Sequence, residues 1–93
     1  MLALITGASS GIGVEFARLL AINGYDLIIT ARREDRLTAL KKTLEKMYKV
    51  SVEIFPADLS KISEVKKLAE YCFQKETDIL INNAGFGILK QFE

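Results

Sequence analysis

The sequence contains no histidine, no tryptophan, one cysteine and one proline among its 93 residues. A single cysteine, Cys72, excludes a disulfide within one chain and indicates a reducing, cytoplasmic setting. Without histidine, the chain also has too few of the usual ligands for a zinc site, so we predict no metal. These absences exclude disulfide-stapled and zinc-dependent classes of protein.

The sequence also lacks an excess of charge and any long apolar run. Thirteen Lys and Arg face twelve Asp and Glu, a formal net charge of +1. So small a charge predicts neither nucleic acid nor an anionic membrane as partner. No apolar run is long enough to span a bilayer. With 49% hydrophobic residues, the composition is that of an ordinary globular chain, and we assign residues 1–93 to one small domain.

Four short apolar runs recur at nearly regular intervals and predict strands. They cover residues 2–6, 26–30, 50–55 and 78–82. The first, second and fourth runs are almost continuously apolar, which is typical of parallel strands covered on both faces. The third run alternates between apolar and polar residues and predicts a more exposed edge strand.

Three helical patterns separate these strands, and we expect their apolar stripes to face the core. The stripes are Ile12, Phe16, Leu19 and Leu20, then Leu37, Leu40, Leu44 and Met47, then Ile62, Val65, Leu68, Ala69 and Cys72. Asn23 and Gly24 predict the end of the first helix, and Ser60 is a plausible N-cap of the third. Strands alternating with helices predict an α/β fold with a parallel sheet.

The segment "ITGASSGIG" lies between the first strand and the first helix. Gly7 permits the sharp turn, and the missing side chains of Gly11 and Gly13 let a ligand and the helix approach the backbone. The free N–H groups at the start of the helix favour an anion. The alternative is that the glycines only make a tight connection. Their spacing also differs from the dinucleotide-binding pattern G-x-G-x-x-G.

This turn resembles the "TGxxxGIG" cofactor turn of the short-chain dehydrogenase/reductase family. Three further segments, "TARRE", "ADLS" and "NNAG", follow the second, third and fourth strands, at the edge where α/β sheets bind ligands. The resemblance covers the whole chain. It implies a Rossmann-like parallel sheet truncated to about four strands, in order 3-2-1-4, with three helices. Residues 1–93 would then be the N-terminal part of one NAD(P)(H)-binding domain.

The residues after the second strand predict which dinucleotide binds. Ala31 stands where an acidic residue would accept a hydrogen bond from the ribose 2'-hydroxyl. The guanidinium of Arg32 would instead pair with a 2'-phosphate, so we expect NADP(H) to be preferred over NAD(H). Arg33 could share this task. The alternative is that both arginines only begin a solvated helix face.

The resemblance implies a set of cofactor-binding residues. They are Gly7, Ser9, Ser10, Gly11, Ile12, Gly13, Arg32, Asp58, Leu59, Asn82, Ala84 and Gly85. In relatives the acid at the place of Asp58 accepts a hydrogen bond from the adenine amino group; the alternative is a local turn acid. Asn82 and its neighbour Asn83 would both tie backbone groups together and border the cofactor, or have a structural role only.

Tyr71 and Lys75 show the Tyr-x-x-x-Lys spacing of the family's catalytic pair. They lie late in the third predicted helix, roughly 16 Å along it from the ligand edge at about 1.5 Å per residue. In relatives the catalytic pair follows "NNAG". We therefore assign no catalytic residue in this chain, and we expect the chain alone to bind the adenosine half of the cofactor weakly and to catalyse nothing.

The resemblance implies the N-terminal cofactor-binding portion of an NADP(H)-dependent oxidoreductase that acts on a carbonyl or alcohol substrate. The alternative is a non-catalytic dinucleotide-binding or interaction module, or half of a split enzyme. The last residues include an apolar group, Phe86, Ile88, Leu89 and Phe92. If nothing covers this group, we expect self-association through it.

Overall fold

The computed structural model describes residues 1–9 and 11–83. Strands and helices alternate along the chain. In order they are β1 (Leu2–Thr6), α1 (Gly11–Ile22), β2 (Asp26–Thr30), α2 (Glu34–Tyr48), β3 (Val52–Ile54), α3 (Ile62–Gln74) and β4 (Ile79–Asn82). The four strands form one parallel sheet in the order β3-β2-β1-β4. The predicted α/β class, strand order and number of helices are confirmed.

The register of the sheet aligns the carboxyl ends of its three longer strands. Thr6 at the end of β1 lies opposite Thr30 of β2 on one side and Asn82 of β4 on the other. The turns that follow these strands therefore emerge at one edge of the sheet. This edge is where open α/β sheets bind ligands, because helix N-termini and strand ends converge there.

Helices cover both faces of the central strands. Alternate residues of β1 and β2 enter two separate core clusters, as the period of a strand requires. On one face Ile5 and Ile29 pack with α1 and α2, and on the other Leu4 and Ile28 pack with α3. All four side chains are fully buried. Burial stabilises each by about 1.5 to 3 kcal/mol relative to exposure, so these strands anchor the fold.

The outer strands differ from their predictions. β3 is shorter than the predicted run, spanning Val52–Ile54, because pairing with β2 covers only these residues. β4 was expected to be covered on both faces, but each of its four residues is only half-buried. In the part of the chain that the structure describes, β4 pairs with β1 alone and forms an edge of the sheet.

The predicted core face of α1 is wrong. Its buried residues are small: Gly13, Ala17 and Ala21. The predicted stripe lies elsewhere, with Ile12, Phe16 and Leu19 exposed and Leu20 half-buried. The helix sits so close to the first turn that only small side chains fit beneath it. Side-chain size therefore determines which face of α1 is buried. The prediction considered only whether the side chains are apolar.

The predicted apolar stripes of α2 and α3 are confirmed near the middle of each helix. At one end of each stripe, a residue that was expected to be buried is exposed. Leu37 and Leu44 of α2 are buried, as are Val65, Leu68 and Cys72 of α3. Met47 and Ile62 are exposed instead of buried, because each lies near a helix end beyond the sheet. Among the described residues, no helix is both long and apolar enough to cross a membrane.

The two predicted helix boundaries have opposite outcomes. Gly24, with φ of 85°, follows the end of α1, and the side chain of Asn23 donates a hydrogen bond to the carbonyl of Leu19, so the predicted stop is confirmed. The predicted N-cap is wrong. Lys61 stands at that position, without a side-chain capping bond, while Ser60 bonds to Asp58.

Candidate functional site

A cavity of about 330 Å³ lies at the carboxyl edge of the sheet. Its lining comes from the turns after three strands: Gly7 and Ser9 after β1, Ala31 and Arg32 after β2, and Ala57, Asp58, Leu59 and Ser60 after β3. A volume of this size falls within the range of small-molecule sites in proteins. The cavity is therefore the candidate binding site.

The turn after β1 is a backbone structure that depends on glycine. Gly7 and Gly11 have φ of 65° and 53°, a conformation that strains residues with a side chain. The N–H of Ala8 donates to the carbonyl of Thr30 at 3.2 Å and fastens the turn to the end of β2. Open space surrounds Gly11, where a Cβ would meet nothing within 4 Å. A ligand can therefore approach the backbone there.

Gly13 has a different task from the other two glycines. It is buried, and a Cβ built on it would lie 2.2 Å from the carbonyl oxygen of Gly7 and 2.9 Å from Nδ2 of Asn83. Neither distance is possible for a real side chain. Gly13 therefore allows α1 to pack against the turn and holds the start of the helix beside the cavity.

The asparagines after β4 brace the same turn from the other side. Nδ2 of Asn83 donates to the carbonyl of Gly7 at 3.2 Å. The hydroxyl of Thr6 donates to Oδ1 of Asn82 at 3.2 Å. The Asn83 side chain thus bonds to a backbone group, as expected of the asparagine pair, whereas this bond of Asn82 joins two side chains. Since the bonds join β1 to β4, they fix the position of the turn within the sheet.

The start of α1 packs against the glycine turn that lines the cavity. The first N–H groups of any helix have no partner within that helix, and the helix dipole makes this end electropositive. The first turn of α1 contains no acidic residue to compete for this end. A phosphate group beside the glycine turn would thus find both donors and a favourable field.

The two arginines after β2 lie in different surroundings. Arg32 lines the cavity. Arg33 directly precedes α2, and its Nε lies 3.4 Å from Oδ1 of Asp35 in an exposed ion pair. The bond from Arg33 lowers the pKa of the Asp35 carboxyl. Arg33 is thus engaged with its own helix, while Arg32 faces the site.

Asp58, which lines the cavity, is engaged in a local turn. Its Oδ1 accepts hydrogen bonds from the hydroxyl of Ser60 at 2.6 Å and from the Ser60 N–H at 3.0 Å. These bonds lower the pKa of the carboxyl, with a smaller contribution from the charge of Arg32. Its own N–H donates to Oε1 of Glu64 at 2.8 Å. Asp58 therefore makes the local turn contacts of the alternative interpretation, and it also lines the cavity.

Tyr71 and Lys75 contact β3 and the residue after it. The ring of Tyr71 lies 5.1 Å from that of Phe55, and Nζ of Lys75 lies 5.6 Å from the Tyr71 ring centre. The same Nζ lies 3.5 Å from a carboxylate oxygen of Glu53. Neither residue lines the cavity. Their Tyr-x-x-x-Lys spacing has a structural explanation, since it places an ammonium group beside an aromatic ring.

The structure brings together five of the predicted site residues around one cavity: Gly7, Ser9, Arg32, Asp58 and Leu59. Gly11, Ile12 and Gly13 form the adjoining first turn of α1, and Asn82 ends β4. The predictions for Ser10, Ala84 and Gly85 fall outside the described residues. The list of predicted site residues omitted three lining residues, Ala31, Ala57 and Ser60. All three lie within the segments "TARRE" and "ADLS", so including every residue of these segments would have found them.

A metal centre is not apparent in this part of the protein. Among residues 1–9 and 11–83, no three or more His, Cys, Asp or Glu side chains form a group that could hold a metal ion. The polar residues that line the cavity are one arginine, one aspartate and two serines, Arg32, Asp58, Ser9 and Ser60. Such a set suits an organic phosphate.

Comparison with known proteins agrees with this geometry. The sequence model of the short chain dehydrogenase family matches residues 1–93. The chain belongs to this family. It is 40% identical over 85 residues to the very-long-chain 3-oxoacyl-CoA reductase of Candida glabrata, a match that covers 89% of this chain and 24% of that protein. The family accounts for the glycine turn and the strand order together.

Some of the solved structures that this chain resembles contain NADPH. The short-chain dehydrogenase of Sphingobium yanoikuyae, in complex with NADPH, matches with a TM-score of 0.86 and 41% identity, over 91% of this chain and 34% of that one. The L-sorbose reductase of Gluconobacter frateurii, complexed with NADPH and L-sorbose, has a TM-score of 0.84 and 35% identity, over 92% and 34%. This chain spans about a third of each structure and a quarter of the yeast relative.

Proposed function

We propose that this chain provides the NADP(H)-binding part of an oxidoreductase that interconverts a carbonyl and an alcohol. One observation carries the proposal: Arg32 and the glycine turn line the same cavity at the carboxyl edge of a short-chain dehydrogenase sheet. The NADPH in the two family structures supports it. The related reductases act on 3-oxoacyl-CoA and L-sorbose, which supports the carbonyl and alcohol class.

The residues of the site fit the adenosine end of such a cofactor. The glycine turn and the start of α1 would hold the pyrophosphate, since their backbone is open to a ligand at Gly11. Ala31 and Leu59 would border the adenosine, with Asp58 beside the adenine. Asn82 and the segment after it would border the nicotinamide ribose. When bound, the nicotinamide ring donates or accepts the hydride of the reaction.

Arg32 would decide between the two dinucleotides. The residue directly after β2 is Ala31, which has no carboxylate to accept a bond from a 2'-hydroxyl, and the Arg32 guanidinium carries the charge that a 2'-phosphate requires. Asp58 lines the same cavity, and its charge interacts with that of Arg32. A charge-assisted contact contributes about 1.5 to 3 kcal/mol, equal to a preference of about ten- to hundredfold.

The site is tested by titrating the isotope-labelled chain with NADP⁺ and following its amide resonances by NMR. We expect the resonances of Ser9, Gly11, Arg32 and Leu59 to shift most. The resonances of Lys75 and Tyr71, which lie outside the cavity, serve as internal controls. Shifts centred on Tyr71, or none at millimolar NADP⁺, would contradict the proposed site.

The remaining predictions are part of this proposal. We expect no NADPH oxidation by this chain with ordinary carbonyl substrates, and a steady oxidation rate in a spectrophotometric assay would refute this. A cytoplasmic setting is also part of the proposal, because a lone free cysteine suits a reducing compartment. Burial raises the pKa of the Cys72 thiol, which lowers its reactivity. Self-association through Phe86 to Phe92 concerns residues outside the described ranges, and sedimentation equilibrium would test it.

A further inference from the structure

Glu64 lies in the first turn of α3 and contacts the loop that precedes the helix. Its Oε1 accepts a hydrogen bond from the N–H of Asp58 at 2.8 Å. In a capping box, a glutamate at this helical position accepts a bond from the N–H of the N-cap residue. The N-cap residue here is Lys61, and its N–H donates instead to the carbonyl of Asp58 at 3.1 Å. The Glu64 carboxylate is therefore bonded to a loop residue beyond the start of its own helix.

The loop between β3 and α3 holds Asp58 between two anchored neighbours. Ala57 and Leu59 are buried and pack in the core cluster that contains the apolar residues of α3. The N–H of Ala57 donates to the carbonyl of Ala31, in the turn after β2, at 3.0 Å. The next N–H along the chain, that of Asp58, donates to Glu64. Two consecutive N–H groups thus tie the loop to the turn after β2 and to α3.

Glu64 also lies beside the candidate binding site. It is half-buried and lines a second cavity of about 330 Å³. Arg32 and Asp58 line both this second cavity and the candidate site, whereas Glu64 lines only the second. An effect of Glu64 on a ligand would therefore act through the position of Asp58, or through its own negative charge beside Arg32.

We propose that Glu64 is a positioning residue, which holds Asp58 in place for the adenine end of the cofactor. The inference rests on the proposed NADP(H)-binding function, in which Asp58 lies beside the adenine. Without the bond from its N–H to Glu64, Asp58 would occupy several positions, and only a fraction of the molecules would be competent to bind. The apparent affinity falls in proportion to that fraction. Since NADP⁺ and NAD⁺ share the adenine, both should be affected alike.

Two substitutions of Glu64 separate position from charge. Glu64→Ala removes the acceptor, and we expect NADP⁺ and NAD⁺ each to bind about fivefold more weakly, the worth of one hydrogen bond. Glu64→Gln keeps an oxygen acceptor for the Asp58 N–H and removes only the charge, so it should restore both affinities to within about twofold of the unsubstituted chain. Isothermal titration calorimetry measures the four dissociation constants.

Glu45→Ala is the matched control. Oε2 of Glu45 accepts a hydrogen bond from the N–H of Val52, the first residue of β3, at 2.9 Å. This variant thus loses the same kind of bond at the end of β3 remote from the loop, and it also loses an ion pair with Lys41. It should lower stability at least as much as Glu64→Ala does and leave both affinities unchanged.

Hydrogen exchange followed by NMR shows whether each substitution acts where the structure places it. The Asp58 amide should exchange faster in Glu64→Ala than in the unsubstituted chain, and Glu64→Gln should slow it again. The Val52 amide should respond only to Glu45→Ala. An Asp58 amide that exchanges equally in all chains would overturn the proposal, because Glu64 would then not hold it.

The affinities distinguish failure of this inference from failure of the proposed function. Unchanged binding in Glu64→Ala, or equal losses in Glu64→Ala and Glu45→Ala, would overturn the positioning role and leave the NADP(H) site standing. Tighter binding of NADP⁺ alone in both Glu64 variants would also overturn it, since Glu64 would then act by its charge. If the unsubstituted chain binds neither dinucleotide, the proposed function itself fails, and the role of Glu64 fails with it.

Discussion

The turns after β1 and β2 border the same cavity but are held in different ways. The turn after β1 is fixed by backbone contacts: Ala8 bonds to Thr30, Asn83 bonds to Gly7, and Gly13 leaves no room for a side chain. The turn after β2 presents exposed arginines, with one ion pair between Arg33 and Asp35. The turn after β1 therefore gives the cavity a backbone of fixed shape, and the turn after β2 gives it positive charge.

This difference predicts how substitutions will act. A change in the first turn must move backbone, so it should affect both stability and binding. A change in the second turn alters an exposed side chain, so it should change the choice of ligand with little effect on folding, since surface substitutions usually cost below about 0.5 kcal/mol. The predictions below separate these two kinds of effect.

Gly13→Ala should have the largest effect. The added Cβ would lie 2.2 Å from a backbone oxygen, so helix and turn must separate, at a cost of about 3 kcal/mol or more. Gly11→Ala is the matched control: it meets no neighbour and costs only the strain of φ at 53°, about 1 to 2 kcal/mol. Urea unfolding measures both, and equal midpoints would contradict the packing argument.

Arg32→Ala should weaken NADP⁺ binding by about ten- to hundredfold, the worth of one charge-assisted contact. Binding of NAD⁺ and the urea midpoint should stay nearly constant. Arg33→Ala is the control, because Arg33 pairs with Asp35, and we expect less than about a threefold change. Isothermal titration calorimetry measures these affinities, and a larger loss in the Arg33 variant would reverse the assignment.

Asn83→Ala should cost about 1 kcal/mol, the net contribution of one hydrogen bond, and should also weaken NADP⁺ binding because the Gly7 carbonyl loses its brace. Asn23→Ala provides a comparison at the other end of α1, where the side chain bonds to Leu19. It should reduce stability and leave NADP⁺ affinity unchanged. Similar affinity losses in both variants would show that general destabilisation is the cause.

The smallest effect is expected from pH. The bonds from Ser60 hold the pKa of Asp58 below its usual value, so the folded state favours the carboxylate. The resulting stability is present above the unfolded pKa of about 3.9 and is lost as pH falls through the lower folded value. Asp58→Asn should therefore lower the urea midpoint slightly at pH 7 and not at pH 2. An equal difference at both values would contradict this.

The sequence predicted the sheet well because its signals are local. β1 and β2 have the expected bounds, since continuous apolar runs and the glycine turn mark them without ambiguity. The buried face of α1 was not predicted, because apolar periodicity does not reveal how closely Gly13 brings the helix to the turn. The half-burial of β4 likewise depends on what pairs with it, which its own residues do not encode.

The sequence predicted which segments form the candidate site, but not which side chains bond to one another there. The turns after the strands were placed at the right edge because parallel topology brings carboxyl ends together. The division between Arg32 and Arg33 required side-chain geometry, since it depends on the ion pair with Asp35. The same is true of Asp58, whose bonds to Ser60 replace the predicted helix cap.

The most direct test of the account is the ratio of the dissociation constants of NADP⁺ and NAD⁺ for this chain, measured by calorimetry at one salt concentration. If the glycine turn supplies geometry and Arg32 supplies charge, NADP⁺ should bind at least about tenfold more tightly. Equal affinities would contradict the role of Arg32. Tighter binding of NAD⁺ would contradict the proposed cofactor itself.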